Sequence, residues 1–383
     1  KSEAEDNFYY FDKEDVDYGL RRSLDNLIDT NKLDVQNSNI ITFYSHKGGV
    51  GRTTSLALLS RYYAEKGKKV FIIDCDFEAP GLLNFFSISQ FETPKNGVVE
   101  YLNDKKFNIN TKLNDEYLYQ VSNRYTGDGS IYMMPAGNIF SLNKKHYLEG
   151  LSRLDLFGPS MFLKDMQLLV DEIQSNFKPD VILIDSRTGF NNVFGALSKI
   201  SNHVVALFGD DTQNKPGLEF ILDKYSDSSL HSKLTIVLSI ISTNFRKRHM
   251  AMTELVSNVM SEYGRDVVVP TFVFPRESAL ELIGTNEESE EDFKYFSSQS
   301  SPTSYSPFFS HMDNILDSFN EKLEDVNNFN DDSEIENSTL ISENSSIQAC
   351  DEFCKIEFYD SIIEKLYNNF PELYAENVEF EEA

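Results

Sequence analysis

The stretch His46-Lys47-Gly48-Gly49-Val50-Gly51-Arg52-Thr53-Thr54 decides the fold of this chain. It follows the apolar run Ile40–Tyr44, which predicts a buried strand, and it precedes the helix-forming run Ser55–Tyr62. Strand, glycine-rich loop and helix, in this order, form the context that a phosphate-binding loop requires. Glycines let backbone N–H groups turn toward a polyphosphate, and the N-terminus of the following helix adds the positive end of its dipole. The stretch therefore predicts binding of a nucleoside triphosphate.

The loop supplies most of the expected nucleotide ligands. The hydroxyl of Thr53 stands where it can bind the Mg²⁺ ion that bridges the β- and γ-phosphates. The residues expected to bind the nucleotide in this loop are Gly48, Gly49, Val50, Gly51, Arg52, Thr53 and Thr54.

Two residues distinguish this loop from the general pattern. With Lys47 ahead of the glycine pair, it resembles the deviant Walker A motif, KGGxGK(T/S), of the ParA/MinD family of P-loop ATPases. In that family the early lysine reaches across a dimer interface to the partner's nucleotide, so the resemblance implies this catalytic role for Lys47. Arg52 is expected to act in catalysis as well as in nucleotide binding, but it departs from the family, which has the phosphate-contacting lysine there. Because arginine is longer, planar and forked, we expect nucleotide binding to survive the exchange better than fast hydrolysis.

A pair of carboxylates, Asp74 and Asp76, follows the predicted strand Val70–Ile73. Beside a phosphate-binding loop, such acids can hold magnesium-bound water or orient the attacking water. The pair resembles the family's D-x-D segment, whose second aspartate positions the hydrolytic water. The resemblance therefore implies a catalytic role for Asp76 and a place in the magnesium shell for Asp74. The alternative is that both acids only shape the turn and cap the next helix.

A second acidic signal is Asp185, which ends the apolar run Val181–Ile184 in a Walker B pattern. Such an acid accepts a hydrogen bond from magnesium-bound water. The continuation Asp185-Ser186-Arg187-Thr188-Gly189 resembles the family's D-[ST]-x-x-G switch. We expect the N–H of Gly189 to donate to the γ-phosphate and to move when that phosphate leaves. For Arg187, a phosphate contact, a contact with a partner subunit and a local salt bridge stay open.

Two later segments extend the resemblance. Tyr132–Gly137 resembles a family strand that ends in a Pro-Ala-Gly turn, and Val269–Arg276 resembles the last strand with its proline-bearing loop. That loop packs near the base in the family, so Pro275 and Arg276 are expected to bind the nucleotide. Ser239 stands near the position of the family's base-facing asparagine, so ATP as the nucleotide is implied by the resemblance alone. A GTPase would need an Asn-Lys-x-Asp motif on a strand that follows the loop; the one match, Asn31–Asp34, precedes the loop, and none follows it.

The chain alternates strand-like and helix-like runs from Ile40 to about Asn286, which predicts an α/β fold. Its strands are apolar throughout, as expected for a mostly parallel twisted sheet with helices on both faces. The predicted strands are Ile40–Tyr44, Val70–Ile73, Ile131–Met134, Val181–Ile184, Val204–Phe208, Leu234–Ile241 and Val267–Val273.

Composition predicts four regions. Polar and acidic stretches flank the α/β region, and an apolar stripe at helical spacing, from Met312 to Val326, follows it. The stripe is either a docking face or part of a module that binds a partner. The regions are an acidic N-terminal arm with one short helix (1–39), a ParA/MinD-like P-loop ATPase domain (40–285), a polar loop or linker (286–306) and an acidic helical C-terminal extension (307–383).

Charge and cysteine content restrict the partners. The net charge of −27 opposes non-specific binding to nucleic acid and to anionic membranes. The one dense basic cluster, Arg246–His249, is either a DNA footprint or a solvated loop. No run is apolar for the roughly 20 residues of a membrane span, and the three cysteines suit a reducing cytoplasm. We therefore expect a cytoplasmic protein with no membrane partner.

These features lead to one main hypothesis and two alternatives. The main hypothesis is an ATP-binding, Mg²⁺-dependent switch that forms a homodimer on ATP, hydrolyses ATP slowly because of Arg52, and regulates a protein partner, in a multi-protein bacterial system of the defence type. The first alternative is a nucleotide-sensing module without hydrolysis. The second is a ParA ATPase of the DNA-partition type.

Overall fold

The computed structural model describes residues 39–86, 94–137, 139, 144–156, 159–209, 213–225, 233–241, 269–281, 283, 294–299 and 304–331. The chain divides into two compact units, residues 1–325 and 326–383, and all of the described strands belong to the first unit. The predicted N-terminal helix, the basic cluster Arg246–His249 and the acidic tail beyond residue 331 lie outside the described residues.

An eight-stranded sheet forms the centre of the first unit, in the order β3-β4-β2-β5-β1-β6-β7-β8. Neighbouring strands are parallel except for β3 and β4. The predicted α/β fold with a mostly parallel sheet is confirmed. No sequence pattern indicated β3, because two residues carry no period, and β8 ends two residues later than predicted. The strands are β1 Ile40–Ser45, β2 Lys69–Cys75, β3 Tyr119–Gln120, β4 Ser130–Met134, β5 Val181–Ser186, β6 His203–Phe208, β7 Leu234–Ile241 and β8 Thr271–Pro275.

Helices cover both faces of this sheet. Helices α1 and α8 pack on one face, and α2 to α6 pack on the other. The helices are α1 Arg52–Glu65, α2 Val98–Phe107, α3 Lys144–Leu156, α4 Pro159–Phe177, α5 Asn192–Ile200, α6 Lys215–Lys224, α7 Ser278–Glu281 and α8 Ser306–Asp331.

Burial on both faces explains why the strands are apolar throughout. In β1, Ile41 packs against the α1 side and Ile40 against the side of α2 to α5, and neither is exposed to solvent. The helical stripe predicted near residue 312 is confirmed, because Met312 and Leu316 of α8 are buried in the core beside α1. Tyr305, inside the predicted linker, is buried there too; the four-region division stays a prediction.

The arrangement gathers the predicted motifs at one edge of the sheet. The carboxyl ends of parallel strands lie at a common edge, which is where α/β proteins bind ligands. Asp74 on β2 pairs in register with Asp185 on β5, and β5 in turn neighbours β1. The loop after β1 therefore lies next to both acidic segments.

Candidate nucleotide-binding site

The glycine-rich loop connects β1, which ends at Ser45, to α1, which begins at Arg52. Gly49 and Gly51 have φ angles of 77° and 76°, the left-handed region that favours glycine. Gly51 is the residue that precedes the first turn of α1. A side chain at either position would strain the turn that directs the loop's N–H groups inward. The predicted strand, loop and helix are confirmed.

Arg52 lies buried between two acids. Its Nη2 donates to Oδ2 of Asp76 at 2.6 Å, its Nε donates to Oδ1 of Asp185, and its Nη1 lies 3.4 Å from Oγ of Ser45. Burial alone would lower the pKa of Arg52, but the charges and hydrogen bonds of Asp185 and Asp76 outweigh it and raise that pKa. The guanidinium thus bridges the acids of the two predicted acidic motifs.

The second oxygen of Asp185 is also bound. The hydroxyl of Thr53 donates to Oδ2 of Asp185 at 2.6 Å, and the Asp185 side chain is fully buried. A hydroxyl and a carboxylate at this distance are oxygen donors of the kind that Mg²⁺ prefers. The donor set therefore fits the ion that the sequence implies.

The carboxylate of Asp74 accepts hydrogen bonds from the backbone of the loop that follows β2. It accepts the N–H of Asp76 at 3.0 Å and that of Leu82 at 3.5 Å. Burial and the charge of Asp185 raise the pKa of Asp74 well above its usual value, which favours the protonated form. These bonds shape the turn between β2 and Leu82. A place for Asp74 in the magnesium shell stays a prediction.

The switch segment after β5 folds back onto the phosphate-binding loop. Gly189 has a φ of 78°, and its N–H donates to the carbonyl of Ser45 at 2.9 Å, so its expected bond to a γ-phosphate requires this bond to open. Arg187 forms a salt bridge with Glu78. Of its three open roles, the structure therefore contains the local salt bridge. The side chain of Asn191 caps α5 by accepting the N–H of Phe194 at 2.9 Å.

A cavity of about 240 Å³ opens beside the loop. One part of its lining is the loop with the first turns of α1, and the other part comes from the ends of β7 and β8, from α7 and from Tyr305. Pro275 and Arg276 line it, and their expected contacts with the nucleotide stay a prediction. The lining residues are Gly49, Val50, Gly51, Thr54, Ser55, Ser239, Ile240, Phe274, Pro275, Arg276, Glu277, Leu280, Glu281 and Tyr305.

The end of β7 differs from the expected base-reading position. The hydroxyl of Ser239 donates to the carbonyl of Val50, so this side chain holds the loop. The next residue, Ile240, has a φ of 58° at an irregularity in the pairing of β7 with β8, and its side chain is 40% exposed. Left-handed backbone is rare for a β-branched residue, and such outliers cluster at ligand sites.

Some residues of the site were not found from the sequence, and one predicted residue stands apart. Glu277, Leu280 and Tyr305 line the cavity but belong to no motif, and nothing local in the sequence marks them.

Lys47 is half-exposed, and no hydrogen bond or ion pair to another described residue holds its side chain. His46 packs its ring 4.9 Å from that of Phe190, and burial together with Lys47 lowers the pKa of His46.

Comparison with known families agrees with this geometry. Residues 41–289, more than half of the chain, match the family described as the CobQ/CobB/MinD/ParA nucleotide binding domain. The chain belongs to this family. The match covers the loop, both acidic segments and the segment that contains Pro275 and Arg276.

Individual relatives are similar over different ranges. An iron-sulfur cluster carrier protein of Clostridium perfringens is 40% identical over 52 residues, so the chain spans only 18% of that relative's length and 14% of its own. A ParA family ATPase of Chlorobium tepidum is 15% identical with a TM-score of 0.48, covering 74% of this chain and 98% of that one. The MinD cell division protein of Aquifex aeolicus is 15% identical with a TM-score of 0.47, covering 80% and 100%. Among the described residues, no helix has the length and apolar character needed to cross a membrane.

Proposed function

We propose that this protein is an ATP-binding, Mg²⁺-dependent dimerisation switch that hydrolyses ATP slowly and regulates a protein partner. The observation that carries this proposal is the bridge from Arg52 to Asp76 and Asp185, next to the bond between Thr53 and Asp185. Loop, water-positioning acid and metal-binding acid are thus linked by direct hydrogen bonds.

Nucleotide binding is supported by the cavity beside the loop. Its lining joins the backbone donors of Gly49 and Gly51, suited to phosphates, with the apolar side chains of Phe274 and Leu280, suited to a planar base. ATP rather than another nucleotide rests on membership of the family.

Slow hydrolysis follows from the position of Arg52. Phosphoryl transfer depends on positioning and on charge stabilisation, so the acid that orients water must be free to do so. In this chain, Asp76 accepts one hydrogen bond from the buried guanidinium of Arg52, which is also held by a hydrogen bond to Asp185. A lysine, as a single ammonium, would bind as a point charge. The arginine therefore restrains Asp76 more firmly than the family's lysine.

The metal site is assigned to Thr53 and Asp185. Bound Mg²⁺ would neutralise charge that develops on the β- and γ-phosphates. Both residues must give up their mutual hydrogen bond of 2.6 Å to take part. Asp185 also keeps a bond to Arg52, which fixes its orientation.

Dimerisation is assigned to Lys47, whose side chain is half-exposed beside the exposed Gly48. A partner's nucleotide can reach an ammonium in this position. A protein partner is proposed as the output because the net charge of −27 opposes both DNA and anionic membranes. A DNA-partition role would require a basic face; the candidate cluster Arg246–His249 lies outside the described residues.

The proposal is tested by measuring ATP turnover with Mg²⁺ and molar mass by light scattering, with and without ATP. We expect Asp76→Asn to reduce turnover about 100-fold or more while ATP still binds. Lys47→Ala should bind ATP but remain monomeric. Lys145→Ala, which removes an exposed lysine of α3, is the matched control and should behave as wild type. A dimer that forms equally well in Lys47→Ala would contradict the role of that residue.

The second candidate is a nucleotide-sensing module without hydrolysis, and the double attachment of Arg52 favours it. If the guanidinium never releases Asp76, ATP is held as a signalling ligand. The same experiment separates the two candidates. Binding of ATP without any turnover in wild type would establish the sensor, whereas slow turnover that depends on Asp76 would establish the ATPase.

A further inference from the structure

Helix α8 begins at the nucleotide cavity. Tyr305, the residue directly before it, is only 5% exposed and lines the cavity together with Gly51 and Thr54. Its ring centroid lies 4.1 Å from that of Phe274 at the end of β8. The cavity is thus closed on one side by the residue that directly precedes α8.

The same helix is fastened to α1, the helix that starts in the phosphate-binding loop. The hydroxyl of Tyr62 donates to Oδ2 of Asp313 at 2.6 Å, and Nζ of Lys66 lies 2.7 Å from the same oxygen. The hydroxyl of Tyr63 donates to the carbonyl of Met312 at 2.7 Å. In addition, the ring of Phe309 stacks on that of Tyr62, with centroids 4.6 Å apart. Residues at the C-terminal end of α1 therefore hold α8.

Both walls of the cavity are consequently connected to α8: the first continues into α1, whose C-terminal end contacts α8, and the second includes Tyr305, which directly precedes α8. One wall is the loop and the start of α1, and the other is β8 with Tyr305. A ligand that fills the space between them contacts Tyr305 only while α8 is docked. Any ligand that binds one of two states better shifts the equilibrium toward that state.

We propose that Tyr305 contacts the base of the bound nucleotide, and that nucleotide binding and docking of α8 on α1 stabilise each other. This inference rests on the proposed nucleotide binding. It adds Tyr305, a residue outside the motifs, and a helix, α8, whose docking responds to the nucleotide. Coupling of this kind is reciprocal: the factor by which the nucleotide stabilises the docked helix equals the factor by which undocking weakens nucleotide binding.

Tripolyphosphate distinguishes the effect of the base at Tyr305 from the effect of the phosphates at the loop. It presents three phosphates and no base, so it can bind the loop but has no group for Tyr305. We expect saturating MgATP to slow amide hydrogen exchange at residues 306–325 about fivefold or more, and more than in α4 on the opposite face of the sheet. Tripolyphosphate at saturation should leave exchange in α8 unchanged. The protection should persist in Lys47→Ala, in which dimerisation does not contribute.

The reciprocal measurement uses two matched variants of α8. Asp313→Ala removes the acceptor of Tyr62 and Lys66, whereas Asp317→Ala removes the same charge from an exposed position of the same helix. We expect Asp313→Ala to weaken ATP binding by about fivefold or more and to leave tripolyphosphate binding unchanged. Asp317→Ala should change neither. Tyr62→Phe removes a single hydroxyl, and it should act in the same direction as Asp313→Ala if the latter folds poorly.

Three results would overturn the inference. Exchange in α8 that is the same with and without ATP, in protein that binds ATP, would disprove the coupling and leave the proposed function intact. Equal losses of ATP and tripolyphosphate affinity in Asp313→Ala would show that the effect passes through the loop and not through Tyr305. Wild-type protein that binds neither ligand would overturn the proposed function together with the inference.

Discussion

The two walls of the cavity are built in different ways. The loop wall is one continuous stretch, Gly49 to Ser55, whose conformation follows from glycine positions and from the start of a helix. The opposite wall is assembled from the ends of two strands, a four-residue helix and Tyr305, which are separated along the chain. A contiguous motif can be recognised from its own residues, whereas an assembled wall exists only after distant segments have packed together.

The loop wall depends most strongly on Arg52. Arg52→Ala leaves two buried carboxylates without their cation, and we expect the free energy of unfolding to fall by about 3–5 kcal/mol. Arg52→Lys keeps the charge but gives up one attachment, so stability should fall less, by about 1.5–3 kcal/mol. The lysine variant should also hydrolyse ATP about tenfold faster, because Asp76 is released. Urea denaturation and steady-state turnover measure both effects, with Arg153→Lys on α3 as the control. Turnover that falls in Arg52→Lys would mean that the guanidinium assists the reaction.

A pair of histidines, the buried His203 on β6 and the half-buried His311 on α8, predicts that the stability of the fold depends on pH. Nε2 of His203 lies 2.8 Å from Oγ1 of Thr235, which in turn lies 2.9 Å from Nε2 of His311. Burial and the neighbouring His311 lower the pKa of His203 to about 3. Since the unfolded chain binds this proton near pH 6.5, the stabilisation is complete above that pH and is lost progressively as the pH falls toward 3.

The expected slope is about 1.4 kcal/mol of unfolding free energy per pH unit below 6.5 for this one group. His203→Gln should remove that part of the slope, and His146→Gln, at an exposed position of α3, should leave it unchanged. Chemical denaturation at a series of pH values measures the difference. A slope that is identical in His203→Gln and wild type would contradict the assignment.

The glycine loop offers a smaller and more local test. Gly51→Ala places a side chain at a φ of 76°, which we expect to cost about 1–2 kcal/mol of stability. A Cβ at Gly48 would meet no atom within 4 Å, and its backbone is outside the left-handed region, so Gly48→Ala should be nearly neutral. Thermal unfolding of the two variants compares them directly. Equal destabilisation would mean that the loop relaxes away from the left-handed turn.

The smallest effect is expected on the assembled wall, at Ile240. Glycine adopts the φ of 58° without strain, so Ile240→Gly should increase stability by up to about 1 kcal/mol after the entropy cost of glycine. The change also removes a side chain that lines the cavity, so ATP affinity should fall a few-fold while tripolyphosphate affinity is kept. Calorimetric titration with ATP and with tripolyphosphate measures the change in affinity, and denaturation measures the change in stability. Lower stability in the glycine variant would show that the side chain of Ile240 packs favourably in spite of its backbone.

The sequence by itself determined the α/β fold, the positions of seven of the strands and the loop that starts α1. These features follow from short-range causes: apolar runs, glycines at left-handed positions and acids at strand ends. It also pointed to Thr53 through the loop motif, and to Asp76 and Asp185 as acids that follow apolar strands. The structure then brought Arg52 into contact with both of the latter acids.

Tertiary structure alone decided the partners of these residues. No sequence pattern showed that the guanidinium of Arg52 would bridge two acids, that Ser239 would bind the loop carbonyl of Val50, or that Tyr305 would line the cavity. Each of these contacts joins residues far apart in sequence, and each depends on how side chains pack around strands that meet only in the folded sheet. Local conformational preferences fix where a strand or loop begins, but the contacts between such elements are set by close packing of the whole domain.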